Sequence, residues 1–414
     1  MSHPVSIFVS AGEASGEHYG ALLVESLQRH LAATGQSAEF FGMGGPRMAA
    51  AGLENVVRSE DMAVMGITEV VRHLPRIYGE FRKLKAAIRA RRPAVAVLID
   101  FPDIHFRLAK QLHALGIPVI FFVSPQLWAW KKHRIKLVQK YIRQMLVIFP
   151  FEQEFYHRHG VVAQFVGHPL ADLPLPSISR ADFAQQHDLD PDATWIGLLP
   201  GSREKEIRAN LPEMLAAARI LTLLARPAES PRARFQFVLP LAPTLGQAQC
   251  DAVQALVREH GPDLPVRFTR DARAALHHAR ASIVASGTAT VEAALIGNPF
   301  VVVYRVSPLT YAIARRIVKV PHVAMPNLIA GRRVVPELIQ SDFVATNIVR
   351  QLALLLPDGP VRQSMMQELR SIRDQLSTGS DEPGTTAYGA IERVAAITLR
   401  HLAQDSSLPE SVSS

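Results

Sequence analysis

The stretch Ser286-Gly287-Thr288-Ala289-Thr290-Val291-Glu292 decides the fold. It follows the apolar run Ser282-Ile283-Val284-Ala285 and precedes Ala293-Ala294-Leu295-Ile296-Gly297, which predicts a strand, a tight turn and a helix stopped at a C-terminal glycine. Such a turn suits an anion, because the first N–H groups of a helix lack intrahelical partners and Gly287 lets a ligand approach the backbone. Ser286, Thr288 and Thr290 add hydroxyl donors, and Glu292, one helical turn on, is placed to accept from ribose hydroxyls. For one small-residue turn taken alone, a capped helix packed on a strand is the better account.

A second turn of the same kind changes the balance. Trp195-Ile196-Gly197-Leu198-Leu199 runs into Pro200-Gly201-Ser202-Arg203, and Arg203 stands where a helix begins, poised for a paired hydrogen bond to a phosphate. Two such turns on parallel strands of one sheet lie at the carboxyl edge, where open α/β sheets bind ligands. Gly201, Ser202, Arg203, Ser286, Gly287 and Thr288 therefore form a candidate diphosphate cradle, with Glu292 on the ribose side of the same nucleotide site. A nucleotide half-site of this sort, preceded by a complete α/β half, is the plan of a GT-B glycosyltransferase: an α/β chain of two Rossmann-like domains facing across a cleft.

Composition allows that plan. With 414 residues, 48% hydrophobic and 20% charged, the chain is long enough for two α/β domains of ordinary size. Its single cysteine, Cys250, excludes an internal disulfide and a multi-cysteine metal site, which fits a reducing compartment. No run is long enough to span a membrane, and Met1 to Ser10 lacks a basic n-region, so a first strand is expected there rather than a secretory signal. A cytoplasmic chain is expected. The net charge of +8 favours nucleic acid, acidic lipid or a phosphorylated substrate without choosing among them. The sixteen histidines form no His-Glu-x-x-His pattern and no carboxylate-rich cluster, so no metal and no cofactor are expected. Ser202 and Ser286 lack the Gly-x-Ser-x-Gly nucleophile elbow of a hydrolase.

In chain order, Val5 to Ser10 predicts a buried strand, and Ala11 to Gly16 a small-residue turn opening a helix to about Leu31. Glu39 to Gly42 predicts a second strand, followed by Gly42-Met43-Gly44-Gly45-Pro46-Arg47-Met48. Neither turn has the full Gly-x-Gly-x-x-Gly spacing of a dinucleotide fold, and in the two-domain plan both line the acceptor side. Between Met62 and Leu74 apolar residues crowd without keeping to one face, after which Pro75 is expected to restart a helix. Tyr78, Phe81, Leu84 and Ile88 recur there at helical spacing, and Arg76, Arg82, Lys83, Lys85, Arg89, Arg91 and Arg92 fill the remainder. Core packing is the commoner role for such a segment. The alternative is that Val64, Ile67, Val70, Val71 and Leu74 rest in an anionic membrane surface.

Val95 to Ile99 is wholly apolar, as a strand covered on both faces should be, and runs into Asp100-Phe101-Pro102-Asp103. Asp103 is placed to cap the helix around Phe106 to Leu115, whereas Asp100, at the strand's carboxyl end, is the candidate general base. Val119 to Val123 is a further strand, leading into Ser124-Pro125-Gln126-Leu127-Trp128-Ala129-Trp130 and the cations Lys131 to Lys136. Tryptophans beside cations can stack on sugars, bind single-stranded nucleic acid or sit at a lipid interface. At 7% aromatic the chain lacks the spaced platform that nucleic acid needs, so none is expected as a partner. The domain plan is residues 1–172 on the acceptor side, a proline-rich linker at 173–177, a nucleotide-binding half at 178–357, tail helices at 358–404 and a disordered Ser-rich end at 405–414.

Taken together and in order, these motifs resemble the lipid-A-disaccharide synthase family. The residues that carry the resemblance are Ser10-Ala11-Gly12-Glu13-Ala14-Ser15-Gly16-Glu17, Gly44 to Met48, Ala63-Val64-Met65-Gly66, Ile99 to Asp103, Ser124 to Trp130, Leu199 to Arg203, Ser286 to Ala289 with Glu292, and Pro326-Asn327-Leu328-Ile329-Ala330-Gly331-Arg332. Glu17 stands where the family usually has aspartate, and Gln126 where a second small polar residue is expected. The resemblance implies a GT-B fold. It also implies transfer of 2,3-diacylglucosamine from its UDP-linked form to the 6-hydroxyl of 2,3-diacylglucosamine 1-phosphate, giving a β-1,6 disaccharide and UDP. Gly12, Glu13, Ser15, Gly16, Met65, Gly66, Asp103, Ser124, Gln126 and Trp128 then belong to the acceptor side, and Asn327 and Arg332 to the nucleotide site. The implied partners are the acylated donor, the acylated sugar 1-phosphate and the anionic inner-membrane surface, with peripheral attachment to that membrane; a homodimer stays open.

Overall fold

The computed structural model describes residues 4–62, 67–225, 234–317, 320–377 and 389–405. The chain divides into two compact units, Met1–Asp172 with Leu376–Ser414, and Leu173–Gln375.

The first unit is built on seven strands: β1 Val5–Ala11, β2 Ala38–Gly44, β3 Leu53–Arg58, β4 Val95–Ile99, β5 Val119–Phe122, β6 Gln144–Val147 and β7 Ala163–Phe165. Their order is β3-β2-β1-β4-β5-β6-β7, with every neighbouring pair parallel. Strands β4 and β5 are apolar along their whole length, as strands covered on both faces should be, and Phe8, Leu98, Phe121 and Met145 join one core cluster. Strand order reverses between β1 and β4, which makes the loops after these two strands the switch-point crevice of the sheet. The last described helix, Ala390–Asp405, belongs to this unit: Glu392 accepts from Arg29 at 2.6 Å and His30 at 2.8 Å, and the Ala390 N–H donates to Asp172 at 2.6 Å.

The second unit repeats the plan with six strands, β8 Thr194–Leu199, β9 Phe235–Pro240, β10 Val266–Thr269, β11 Ala281–Ala285, β12 Phe300–Tyr304 and β13 Glu337–Ile339. The order is β10-β9-β8-β11-β12-β13, again all parallel, and it reverses between β8 and β11. Trp195 is wholly buried on β8 with the Arg180 guanidinium 3.6 Å above its ring.

Two expectations from the sequence need correction. The helix expected to restart at Pro75 instead runs from Ile67 to Arg91 with the proline inside it. One lost backbone bond does not end a helix whose later turns bury Leu84 and Ile88 completely. Asp103 does not cap its helix: the helix Pro102–Ala114 begins one residue earlier, its N-cap Phe101 makes no side-chain cap bond, and Asp103 instead pairs with Arg134. Of the end expected to be disordered, 405–414, Asp405 instead closes the helix Ala390–Asp405, and 406–414 lie outside the described residues. Among the described residues no helix is long and apolar enough to cross a membrane, and no group of three or more His, Cys, Asp or Glu side chains is arranged to hold a metal ion.

Candidate active site

In the first unit the parallel register sets Ala11 opposite Ile99 and Ile99 opposite Phe122, so Gly12, Asp100 and Val123 leave three adjacent strands at one level. The backbone there is strained. Asp100 (φ 52°), Phe101 (φ 50°) and Val123 (φ 63°) all lie in the left-handed region that side chains other than glycine's avoid, and such strain persists where the surroundings enforce it. The surroundings can be named. The Asp100 N–H donates to the Phe122 carbonyl at 2.9 Å, and the Phe101 ring folds over Gly12, where an added Cβ would stand 2.3 Å from the ring.

The Asp100 carboxyl is mostly buried at this level. Burial, reinforced by the Glu13 carboxylate and opposed by the Phe101 N–H, pushes its pKa up to about 6. A carboxylate poised near neutrality is a better proton acceptor than one held in a salt bridge. Beneath it His105 is completely buried: its Nδ1–H donates to the Asp100 carbonyl at 2.5 Å, which leaves Nε2 to accept from the Ser10 hydroxyl at 2.9 Å. Burial lowers the His105 pKa to about 4, so the ring is neutral at physiological pH.

The remaining acceptor-side candidates divide. Gly12 and Gly16 are buried, Ser15 is half-buried and Glu13 is exposed at the head of the helix Ala14–Ala33. Glu17 accepts from the Arg47 N–H at 2.8 Å, which ties the first motif to the second and gives the longer side chain a use there. Gln126 and Asp103 are exposed, while Ser124 is buried against the Tyr156 hydroxyl at 2.9 Å. Trp128 donates its indole N–H to Glu152 at 3.1 Å. Glu152 was not anticipated from the sequence. It is 1% exposed, accepts also from the Phe149 N–H at 3.3 Å, and burial pushes its pKa up to about 8, so it fastens the Ser124 to Trp130 loop as a neutral acid. Val64, Met65 and Gly66 lie outside the described residues, and so do the side chains of Ile67, Val70, Val71 and Leu74.

In the second unit β8 and β11 are paired with Leu199 opposite Val284, so Pro200 to Arg203 and Ser286 to Thr288 emerge side by side. Each opens a helix, Glu204–Leu224 and Thr288–Ile296, and the two sets of unpaired helix N–H groups point to the same edge of the sheet. Gly287 is exposed at φ 147°, a backbone state that admits glycine and disfavours side chains. The first turn is pinned from below by buried Asn210, which donates to the Pro200 carbonyl at 2.9 Å, and the second by Thr290, which donates to the Gly287 carbonyl at 2.7 Å.

Arg203 is half-exposed and donates to Glu206 at 3.0 Å, while the other Glu206 oxygen accepts from the Ser202 N–H at 3.3 Å. Tyr304, at the end of β12, was also missed. Burial raises its phenol pKa, Glu206 adds to the rise and Arg203 opposes it. Glu292 is half-buried, with its pKa raised by burial against the pull of Arg273.

Asn327 is wholly buried and its amide is fully occupied within the protein. It donates to the Val335 carbonyl at 2.9 Å and to Glu337 at 2.8 Å, and accepts from the N–H groups of Val334 at 2.7 Å and Val335 at 2.8 Å. Glu337 in turn accepts from the Ala324 N–H at 2.9 Å, and Ser286 reaches the Val323 carbonyl at 3.5 Å. Asn327 thus braces the segment beside the Ser286 turn and keeps no hydrogen-bonding capacity for a ligand. Arg332 is exposed and pairs with Glu368 at 2.6 Å.

Comparison with known proteins adds to this geometry. The family model described as lipid-A-disaccharide synthetase matches residues 7–387. The chain is 60% identical to a lipid-A-disaccharide synthase of Acidobacterium capsulatum over 95% of this chain and 96% of that protein. It is 50% identical to one of Koribacter versatilis over 94% of this chain and 97% of the other. Among solved structures it resembles the glycotransferase of kitacinnamycin, with a TM-score of 0.60, 16% identity and coverage of 97% and 100%. It also resembles a UDP-N-acetylglucosamine 2-epimerase of Listeria monocytogenes, with a TM-score of 0.60, 12% identity and coverage of 97% and 98%. Likeness at such low identity concerns the fold, which is GT-B.

Proposed function

This chain belongs to the lipid-A-disaccharide synthase family, and from that premise we propose how its residues divide the work of joining two acylated sugars. The enzyme forms the lipid A disaccharide from a UDP-sugar donor and a sugar acceptor. Passing from an α-linked UDP donor to a β-linked product inverts the anomeric carbon, which calls for one displacement, one general base and no covalent enzyme intermediate. Asp100 is that base: it takes the proton from the acceptor hydroxyl as the oxygen attacks. Residues 1–172 hold the acceptor through Gly12, Glu13, Ser15, Gly16, Ser124 and Trp128, with Glu152 holding the Trp128 loop in place.

Residues 178–357 hold the donor. Arg203 and the N–H groups of the Gly201-Ser202 and Gly287-Thr288 turns receive the charge that develops on the departing diphosphate, while Glu292 takes the ribose. Asn327 contributes by fixing the backbone beside Ser286. Both substrates carry acyl chains, so some surface must bring the site to lipid. Val64, Ile67, Val70, Val71 and Leu74, with the arginines that follow Pro75, dock the chain on the anionic inner-membrane surface from the cytoplasmic side. The observation that carries the catalytic reading is the buried Asp100 carboxyl at the switch point of the first sheet, with its pKa raised to about 6.

Separating binding from turnover tests this division. Asp100→Asn should lower kcat by about 10²- to 10⁴-fold while UDP affinity by calorimetry stays at the wild-type value. Arg203→Ala should lose both: UDP binding by about 1.5–3 kcal/mol and rate by ~10². Unchanged UDP affinity in Arg203→Ala would make Arg203 only the ion-pair partner of Glu206, and a fully active Asp100→Asn would move the base elsewhere.

A further inference from the structure

We propose that His105 is a positioning residue for the reaction, holding the Asp100–Phe101 turn in its left-handed conformation through a relay that runs from the Ser10 hydroxyl through the imidazole to the Asp100 carbonyl. The inference rests on Asp100 being the base. Two consecutive non-glycine residues at φ 52° and 50° cost free energy, and strand pairing supports only the first of them, where the Asp100 N–H donates to the Phe122 carbonyl at 2.9 Å. The group that meets the turn from within is His105, one turn into the helix Pro102–Ala114, and its ring is fixed on every side. Nδ1–H holds the Asp100 carbonyl at 2.5 Å and Nε2 accepts from Ser10 at 2.9 Å. The rings of Phe101 and Phe121 stand edge-on at 5.8 and 6.0 Å.

A buried imidazole with both nitrogens bonded is costly to bury for packing alone, and a phenylalanine would fill the same volume without that cost. What a phenylalanine cannot do is grip a carbonyl. Because the bond is to the backbone of Asp100, it sets where the carboxyl leaves the chain and how deeply it sits, without touching substrate. The groups acting on that carboxyl are Glu13 from the turn after β1 and the Phe101 N–H from its own loop, while neutral His105 from the helix below bonds the main-chain carbonyl of the same residue. Release of the turn therefore leaves the charges in place and changes mainly the carboxyl's exposure to water.

The test compares kcat, KM and the pH dependence of kcat for the full chain and its His105→Phe, His105→Asn, Ser10→Ala and Asp100→Asn variants, with UDP-sugar donor and acylated acceptor in mixed micelles. His105→Phe should lower kcat by about 10²-fold, the loss expected from a displacement of about an ångström, with KM nearly unchanged. Its acid limb should move from near pH 6 toward ordinary carboxylate values, because a released carboxyl is better solvated. His105→Asn, whose amide can donate from the place of Nδ1, should recover most of the rate and return the limb. A melting shift alone, without movement of the limb, would mean that His105 only packs and would overturn the proposal. So would a His105→Phe variant with wild-type kcat. Should His105→Phe not fold, Ser10→Ala carries the test. Loss of kcat with the limb shifted supports the relay, and wild-type kcat with an unmoved limb overturns it. Asp100→Asn keeps the two claims apart. If it is dead while His105→Phe is fully active, the relay alone fails; if it is fully active, the base assignment fails and takes the relay with it.

Discussion

Asp100 and Glu152 show how the same physical cause serves two ends. Both carboxyls are raised by burial, to about 6 and about 8, yet one lies at the carboxyl end of a central strand and the other is sealed under Trp128. With Asp100 as the proposed base the consequence is kinetic: the carboxyl is protonated below pH 6, so kcat should rise through pH 6 and level off above it. A pH–rate profile checks this, and a limb near pH 4 would mean a solvated carboxylate. For Glu152 the consequence is stability. A raised folded-state pKa means that its contribution is fully present below the ordinary value of 4.5 and is lost as pH rises toward 8. Relative to Glu152→Gln, the wild-type chain should therefore lose stability between these values, by about 1.4 kcal/mol for each pH unit. Denaturant unfolding of both proteins at pH 5.5 and 7.5 reads the difference; parallel behaviour would show Glu152 to be solvated.

At the scale of elements, the two glycine turns of the second unit were legible because an apolar strand, a small-residue turn and a helix start form a local pattern, closed in the second case by the glycine stop Gly297, and β8 and β11 do stand adjacent with their turns level. Long-range hydrogen bonds leave no such pattern. Nothing local in Pro150 to His157 marks Glu152 as the partner of an indole 24 residues earlier. Nothing local marks Glu337 as the acceptor for Ala324 and Asn327. Strand β3, mixed in character and at the sheet edge, was missed for the same reason, and Asp103 was misjudged because an acid near a helix start predicts a cap without saying where the helix starts. The Asn327 brace makes its own prediction. Asn327→Asp replaces a donor facing Glu337 by a second carboxylate, so its melting temperature should fall further than that of Asn327→Ala, and UDP affinity should weaken with it. Reduced UDP affinity in Asn327→Ala with an unchanged melting temperature would instead mean that the amide contacts the nucleotide directly.

For the whole molecule, fold and chemistry come from different comparisons. A glycotransferase and a sugar epimerase share this architecture equally well, whereas sequence relatives across nearly the full length are lipid-A-disaccharide synthases. A net charge of +8 is consistent with the proposed docking on anionic lipid, each basic side chain near such a surface contributing about 1 kcal/mol. On that account Val70→Ser with Leu74→Ser should abolish binding to phosphatidylglycerol-containing liposomes at an unchanged melting temperature; a fall in melting temperature would assign these side chains to the core. The most direct test of the central claim is incubation of the full chain with UDP-2,3-diacylglucosamine and 2,3-diacylglucosamine 1-phosphate, reading the lipid by mass spectrometry and its anomeric configuration by NMR. The account predicts a β-1,6 disaccharide 1-phosphate with one UDP released per linkage, and no detectable glycosyl adduct on the protein. Retention of the α configuration, or a covalent glycosyl-enzyme, would contradict it.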